Sequence, residues 1–229
     1  MKNGVTNMFD RIAARYDRIN RVLSFGMDVG WRRHVARLLE VQPGQRVLDV
    51  ATGTADLVIA LAKSQPRATF VGIDPSEGML AVGREKIASS GLSDRIALVE
   101  GAAEVLPFEN ASFDAVTIGF GIRNAKDPDL SLREMRRVLK PGGRLAVLEF
   151  SMPTNSVIRF FHLLYLRHVL PVIGGLLSGN REAYRYLNRT IETFPSGKSF
   201  IEKALSAGFS AMDQRQMALG AVSVYICQK

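Results

Sequence analysis

Two carboxylates and a turn of small residues are the first features of the sequence with chemical meaning. Asp49 lies at the end of the apolar run 46–51 (RVLDVA), and Asp74 ends Thr69–Asp74 (TFVGID), 21 residues beyond Gly53. The turn Ala51-Thr52-Gly53-Thr54-Ala55 between them lets backbone N–H groups and a helix N-terminus approach a ligand closely. It lacks G-x-G-x-x-G, which weakens a dinucleotide reading. A carboxylate at Asp49 suits a cationic ammonium group and opposes a pyrophosphate. Asp74 stands where a ribose-binding carboxylate belongs, as acceptor for both hydroxyls. Gly101-Ala102-Ala103-Glu104 adds small residues and an acid that can frame an adenine ring. The ordered set points to a nucleoside carrying a positive group.

Other reactive side chains are sparse. His34, His162 and His168 are scattered, and the last two, six residues apart, do not share a helical face. No metal motif is visible. The single cysteine, Cys227, excludes an internal disulfide.

The elements that must hold these residues alternate. Runs 46–51, 69–74, 96–100, 113–118 and 144–150 are β-branched and nearly continuously apolar, as parallel strands covered on both faces require. Between them, 57–63, 77–89 and 130–139 carry apolar residues at helical spacing. Pro75-Ser76-Glu77 and Asp127-Pro128-Asp129 are start signals, and Lys140-Pro141-Gly142-Gly143 reads as a stop and tight turn. Residues 222–227 (VSVYIC) read as a last strand. This predicts an α/β fold with a doubly wound, mostly parallel sheet. Residues 8–39 and the aromatic-rich stretch 155–194 are helical additions expected over the carboxyl ends of the strands. The expected organisation is a single domain over 1–229. It comprises an N-terminal helical cap (1–40), a cofactor-binding core (41–150), a helical insertion (151–195) and a closing helix and strands (196–229).

Of the net charge of +8, residues 1–40 carry +4 and 151–192 carry +3, while 41–150 carry −1. The excess on two flanks suits an anionic lipid surface, or solvated arginines on exposed helix faces. No run of about 18 uncharged apolar residues exists, so no membrane-spanning helix is expected; the richest stretch, 163–177, contains Arg167, His168 and Pro171.

Several longer motifs are diagnostic. They are Met8-Phe9-Asp10-Arg11-Ile12-Ala13 with Tyr16-Asp17, Phe120-Gly121-Ile122-Arg123-Asn124, and Tyr184-Arg185-Tyr186-Leu187. Another runs from Arg137-Val138-Leu139-Lys140-Pro141-Gly142-Gly143 to Glu149-Phe150-Ser151. Through them the chain resembles, nearly end to end, the ubiquinone/menaquinone biosynthesis C-methyltransferases, a family within the class I methyltransferases. The resemblance implies a seven-stranded Rossmann-like sheet and S-adenosyl-L-methionine as cofactor, with Thr54, Asp74, Ala102, Ala103 and Gly119 lining its site. Asp49 and Gly53 join that set from the reading of the turn. Ala51, Thr52 and Ala55 stand where relatives often carry glycine, Asp28 where many have histidine, and Gly119 where many have serine.

The implied reaction is methylation of a ring carbon of a polyprenylated quinol, demethylmenaquinol to menaquinol, or alternatively of a 2-polyprenyl-6-methoxy-benzoquinol. An electrophilic methyl needs an electron-rich ring, and a phenol hydroxyl has a pKa of about 10. Arg123, too basic to take a proton, is expected to stabilise the phenolate or polarise a water, with Asn124 orienting oxygen or water. The other reading of Arg123 is a structural tie to Glu149 or Asp127. Tyr16 is a candidate base over the cofactor, or an aromatic staple of its helix. Residues 158–166 (IRFFHLLYL) are expected to line a tunnel for the prenyl tail and touch the membrane, or to form a core helix that pairs with the N-terminal one. That implies a cytoplasmic enzyme peripherally associated with the inner face of the cytoplasmic membrane. Nucleic acid is not an expected partner, since no N/D-P-P-Y step follows the fourth strand. The oligomeric state is open, a homodimer included. The rival readings are an NAD-dependent oxidoreductase and a non-catalytic partner in a quinone-synthesis complex.

Overall fold

The computed structural model describes residues 4–178, 181–210 and 212–229. Seven strands form one sheet: β1 (Arg46–Val50), β2 (Thr69–Asp74), β3 (Ile96–Glu100), β4 (Phe113–Gly119), β5 (Leu139–Phe150), β6 (Met212–Met217) and β7 (Val222–Gln228). Their order is β3-β2-β1-β4-β5-β7-β6. The first five are parallel, and β7 pairs antiparallel with both β5 and β6.

The two-residue period sends alternate side chains to two cores. Val47 and Phe70 join helices α2 (Met27–Leu39) and α3 (Asp56–Ser64) through Trp31, Val35, Val58 and Leu61. Leu48, Ile73 and Val116 join α5 (Pro128–Val138) and α9 (Lys198–Ser206) through Leu132, Met135 and Phe200. The helix starts lie where the cap residues predict. Ser76 accepts the Met79 N–H at the head of α4 (Glu77–Ser89), and Asp127 accepts the Leu130 N–H.

Gly72, in the middle of β2, has no room for a side chain. A Cβ there would lie 2.6 Å from Leu98 Cδ2 and 2.9 Å from both outer atoms of Thr52. Gly72→Ala is therefore expected to cost about 1–3 kcal/mol by overpacking, read by chemical denaturation. An unchanged midpoint would contradict this packing.

One boundary differs from the sequence reading. The Lys140–Gly143 segment does not stop the chain before a strand. β5 runs through it from Leu139, and its register against β4 jumps from Phe113↔Leu139 to Ala115↔Arg144. The extra residues are absorbed as an irregularity, with Gly142 at φ 74°. The strand β6 (MDQRQM) is polar because it is a sheet edge with half its residues exposed and none buried.

Over the carboxyl ends of the strands sit α1 (Gly4–Leu23), α6 (Ser156–Leu164), a π-helical turn (Tyr165–Val169), α7 (Leu170–Ser178) and α8 (Arg181–Thr193). All but α6 share a core of Ile19, Leu166, Leu170, Tyr184 and Ile191. No membrane-spanning helix is expected from the sequence, yet Ser156–Leu176 is long and apolar enough, by length and composition alone, to cross a membrane. Two arginines in 21 residues do not offset its aliphatic and aromatic content. One face of it packs on the cap, where the Tyr165 hydroxyl donates to the Leu23 carbonyl. The other face leaves Phe160 63%, Phe161 61% and Leu176 81% exposed.

Candidate active site

Strand order reverses between β1 and β4, and open α/β sheets bind ligands at such a switch point. A cavity of about 400 Å³ lies there, walled by Gly53, Asp74, Ala102, Ala103, Glu104 and Gly119 and covered by Val5, Thr6, Phe9 and Tyr16 of α1. The turn after β1 is tightly wound, with Ala51, Gly53 and Ala55 all at positive φ. For the two alanines that conformation costs about 1–2 kcal/mol each. Opposite, a Cβ on Gly121 would meet Ala51 Cβ at 2.5 Å, so only glycine fits there.

Asp74 accepts the Gly53 N–H and the Ser76 N–H, both at 2.9 Å. Burial pushes its pKa up to about 6 against the pull of those two bonds, with Asp10 adding to the rise. A carboxylate has about four acceptor positions, so two remain for a ligand.

Two predicted cofactor residues lie outside this cavity. Asp49 faces the same side of the sheet as its cross-strand neighbour Thr117, and its oxygens take the hydroxyls of Thr117 (2.6 Å) and Thr52 (2.7 Å). It is buried beneath the turn, with burial lifting its pKa to about 6. Thr54 turns its hydroxyl away to Asp17, and Lys86 bridges Asp17, Thr54 and Asp56. That cluster fastens α1 to α3 and α4. Asp10 fastens it again, accepting from Ser76 Oγ and the Gly78 N–H. The sequence reading missed both fasteners.

A second, apolar cavity of about 280 Å³ adjoins the first; Phe9, Tyr16, Phe120 and Asn124 line both. Its walls include Trp31, Arg123, Phe150, His162, Tyr165 and Tyr184. Phe120 is held at φ 56°, a strained conformation of the kind that gathers at functional sites. Its ring packs on Phe150 at 4.6 Å and near Trp31 at 6.0 Å.

Arg123 follows β4 in a short 3₁₀ turn, Ile122–Asn124. Its side chain is 4% exposed, and Nη1 donates to the Phe120 carbonyl and to Glu149 Oε1, the latter at 2.7 Å. The guanidinium lies 5.2 Å over the Phe150 ring. The structural tie to Glu149 is thus present, and the side chain still borders the cavity. Burial raises the Tyr16 pKa, which Arg123 partly offsets. His162, passed over in the sequence because it stands alone, places a buried Nε2 without a partner in this cavity, and burial lowers its pKa. Asp28 also lines it, but its carboxylate is taken by Ser24 and Arg32.

A nucleoside-sized pocket with Asp74 and Glu104 in its wall, at the switch point of a seven-stranded 3-2-1-4-5-7-6 sheet and opening onto an apolar chamber, defines a class I methyltransferase. Among solved structures, a SAM-dependent methyltransferase of Thermotoga maritima, a possible histamine N-methyltransferase, shares the fold. It matches with a TM-score of 0.70 and 21% identity over 97% of this chain and 99% of that one. The chain belongs to the ubiE/COQ5 methyltransferase family, whose model matches residues 1–229. Among curated relatives, the ubiquinone/menaquinone biosynthesis C-methyltransferase UbiE of Geobacter sulfurreducens is 44% identical over 98% of this chain and 88% of its own length. The demethylmenaquinone methyltransferase of Thermus thermophilus is 46% identical over 89% of this chain and 91% of its own.

Proposed function

We propose that the chain binds S-adenosyl-L-methionine in the cavity walled by Asp74 and methylates a ring carbon of a polyprenylated quinol, demethylmenaquinol, in the apolar one. The observation that carries this reading is the shared wall of Phe9, Tyr16, Phe120 and Asn124, which brings the Asp74 cavity and the more apolar one into contact. The names of the Thermus and Geobacter relatives support the substrate class.

The residues fit the cofactor. Two acceptor positions on Asp74 suit two ribose hydroxyls, and Gly53, Ala102, Ala103 and Gly119 leave room for flat rings. When bound, the cofactor supplies an electrophilic methyl on a sulfonium. The protein's part is placement and charge. Asp74 and the turn anchor the nucleoside, α1 excludes water through Phe9 and Tyr16, and Trp31, Phe120 and Phe150 hold an aromatic ring. Arg123 faces the ring oxygen and stabilises it as a phenolate, with Asn124 orienting it. A radiolabelled-methyl assay with reduced naphthoquinol and benzoquinol acceptors, followed by product mass spectrometry, tests this. Label in a naphthoquinol product is expected; label only in benzoquinol, or in neither, contradicts it.

Asp74 sets a pH dependence. Its carboxyl titrates near 6 in the folded chain, above its ordinary value, and must be ionised to accept two hydroxyls. Binding therefore expels a proton below that pH. Affinity for S-adenosylhomocysteine is expected to be level above pH 7 and to fall by up to about tenfold per unit below 6. In folding the sign is opposite. Protonated burial of Asp74 and Asp49 favours the folded chain below their ordinary values near 4, and that contribution is lost as pH rises through about 6. Calorimetric titration across that range checks the binding limb, and a pH-independent affinity contradicts it.

The chain is also proposed to act at the inner face of the cytoplasmic membrane. The uncovered apolar face of α6 and α7 supports this, as do His162, Tyr165, Leu166 and Leu170, which lead from that helix into the quinol cavity. Phe160→Glu with Phe161→Glu is expected to reduce binding to anionic vesicles about tenfold or more. Unchanged flotation contradicts it.

A further inference from the structure

We propose that Glu149 is the positioning residue of Arg123 and the transient acceptor of the phenolic proton. This inference rests on the quinol reading above. Glu149, near the end of β5, is 1% exposed, and one of its oxygens is fully used: Oε1 takes Arg123 Nη1 at 2.7 Å and the Phe150 N–H at 2.8 Å. The other, Oε2, is buried without a partner, as are Arg123 Nε and Asn124 Oδ1. A buried ion pair with open valences is costly. Here the open positions are one donor and two acceptors on touching or consecutive residues, beside a cavity that Arg123 and Asn124 line. A hydroxyl, or a water carrying its proton, fits such a set, donating to the carboxylate and accepting from the guanidinium.

The step balances. The phenolic O–H breaks, its electron pair stays on the ring oxygen, and the proton passes through a bridging water to Glu149 Oε2. The carboxylate becomes an acid, and Arg123, relieved of its anion, pairs with the phenolate instead. Net charge in the chamber is unchanged. After the ring carbon gains its methyl, it loses its hydrogen as a proton to water, and Glu149 returns its own proton to the ring oxygen. One proton is released per turnover. Burial lifts the Glu149 pKa above its ordinary value, which raises its affinity for a proton, against the pull of the Arg123 guanidinium and of the Phe150 and Arg123 backbone N–H groups. The other charged or titratable groups that face the pair are Tyr225 of β7, Tyr16 of α1 and Tyr186 of α8.

Glu149→Gln keeps the shape and can keep the bond to Arg123, but accepts no proton. Its kcat near neutral pH is expected to fall about 10²-fold or more, with quinol KM and S-adenosylhomocysteine affinity within threefold. The deficit is expected to shrink about tenfold per pH unit towards the phenol pKa of about 10, where the acceptor ionises unaided. A deficit equal at all pH values, or a rate within threefold of wild type, overturns the inference. If Glu149→Gln fails to fold, Glu149→Asp serves: it keeps a proton acceptor, set back by one methylene, so a deficit of no more than about tenfold is expected, and complete loss of turnover in the folded variant overturns the inference. Failure of the wild-type protein to methylate any quinol overturns the underlying reading and this inference together. Normal turnover with a pH-independent Glu149→Gln deficit overturns this inference alone.

Discussion

Asp74→Asn is expected to weaken S-adenosylhomocysteine binding by about 10²- to 10³-fold, since two hydrogen bonds to an ionised acceptor contribute about 1.5–3 kcal/mol each. The loss has a second source inside the protein. Asp74 accepts the N–H groups of Gly53 and Ser76 on its two oxygens, and an amide has only one oxygen. One of those donors then faces an NH₂ group, so the turn after β1 and the head of α4 loosen as well. Calorimetric titration separates the terms when paired with denaturation of the ligand-free protein: stability is expected to fall by about 1–3 kcal/mol. Affinity within threefold of wild type would remove Asp74 from the ligand's contacts.

The second large effect is on turnover. Arg123→Ala is expected to lower kcat about 10³-fold, the scale of removing a group that stabilises developing negative charge, with S-adenosylhomocysteine affinity little changed. It also strands Glu149, 1% exposed, without its cation. Removing one partner of a buried pair costs about 3–5 kcal/mol of stability. The double variant Arg123→Ala with Glu149→Gln separates the two roles. Stability is expected to recover by most of that cost, because no buried anion remains unpaired, while turnover stays low. Recovery of both would reduce Arg123 to a structural tie. Turnover of Arg123→Ala within a few-fold of wild type would do the same.

The parts of this architecture that were legible in the sequence are those decided by local pattern. Strands β1, β2 and β4 are buried on both faces and therefore read as nearly unbroken apolar runs, and Ser76 and Asp127 mark helix starts by local hydrogen bonding. Asp74 was legible because its place at a strand tip after a small-residue turn is itself local. Asp49 was misplaced because a position along a strand does not give the face, and its face is fixed by pairing with Thr117, 68 residues away. The strand β6 carries no apolar alternation because its neighbour, β7, supplies pairing on one side only. The fasteners of α1 were invisible for a similar reason. Asp10 and Asp17 reach partners 66 and 37 residues distant, and acidic residues on a polar helix face look like ordinary solvated ones. The role of Glu149 also depends on distance: the sequence offers it as one of two anchors for Arg123, and only the packing of β5 under the 3₁₀ turn selects it.

The most direct measurement of the central claim is an experimental structure of the protein with S-adenosylhomocysteine and a short-chain demethylnaphthoquinol. The account predicts ribose hydroxyls on Asp74, sulfur at the opening bordered by Phe9, Tyr16, Phe120 and Asn124, and the quinol ring beyond it with an oxygen at Arg123. A nucleoside bound away from Asp74, or a ring held on the same side of that opening as the nucleoside, would contradict it.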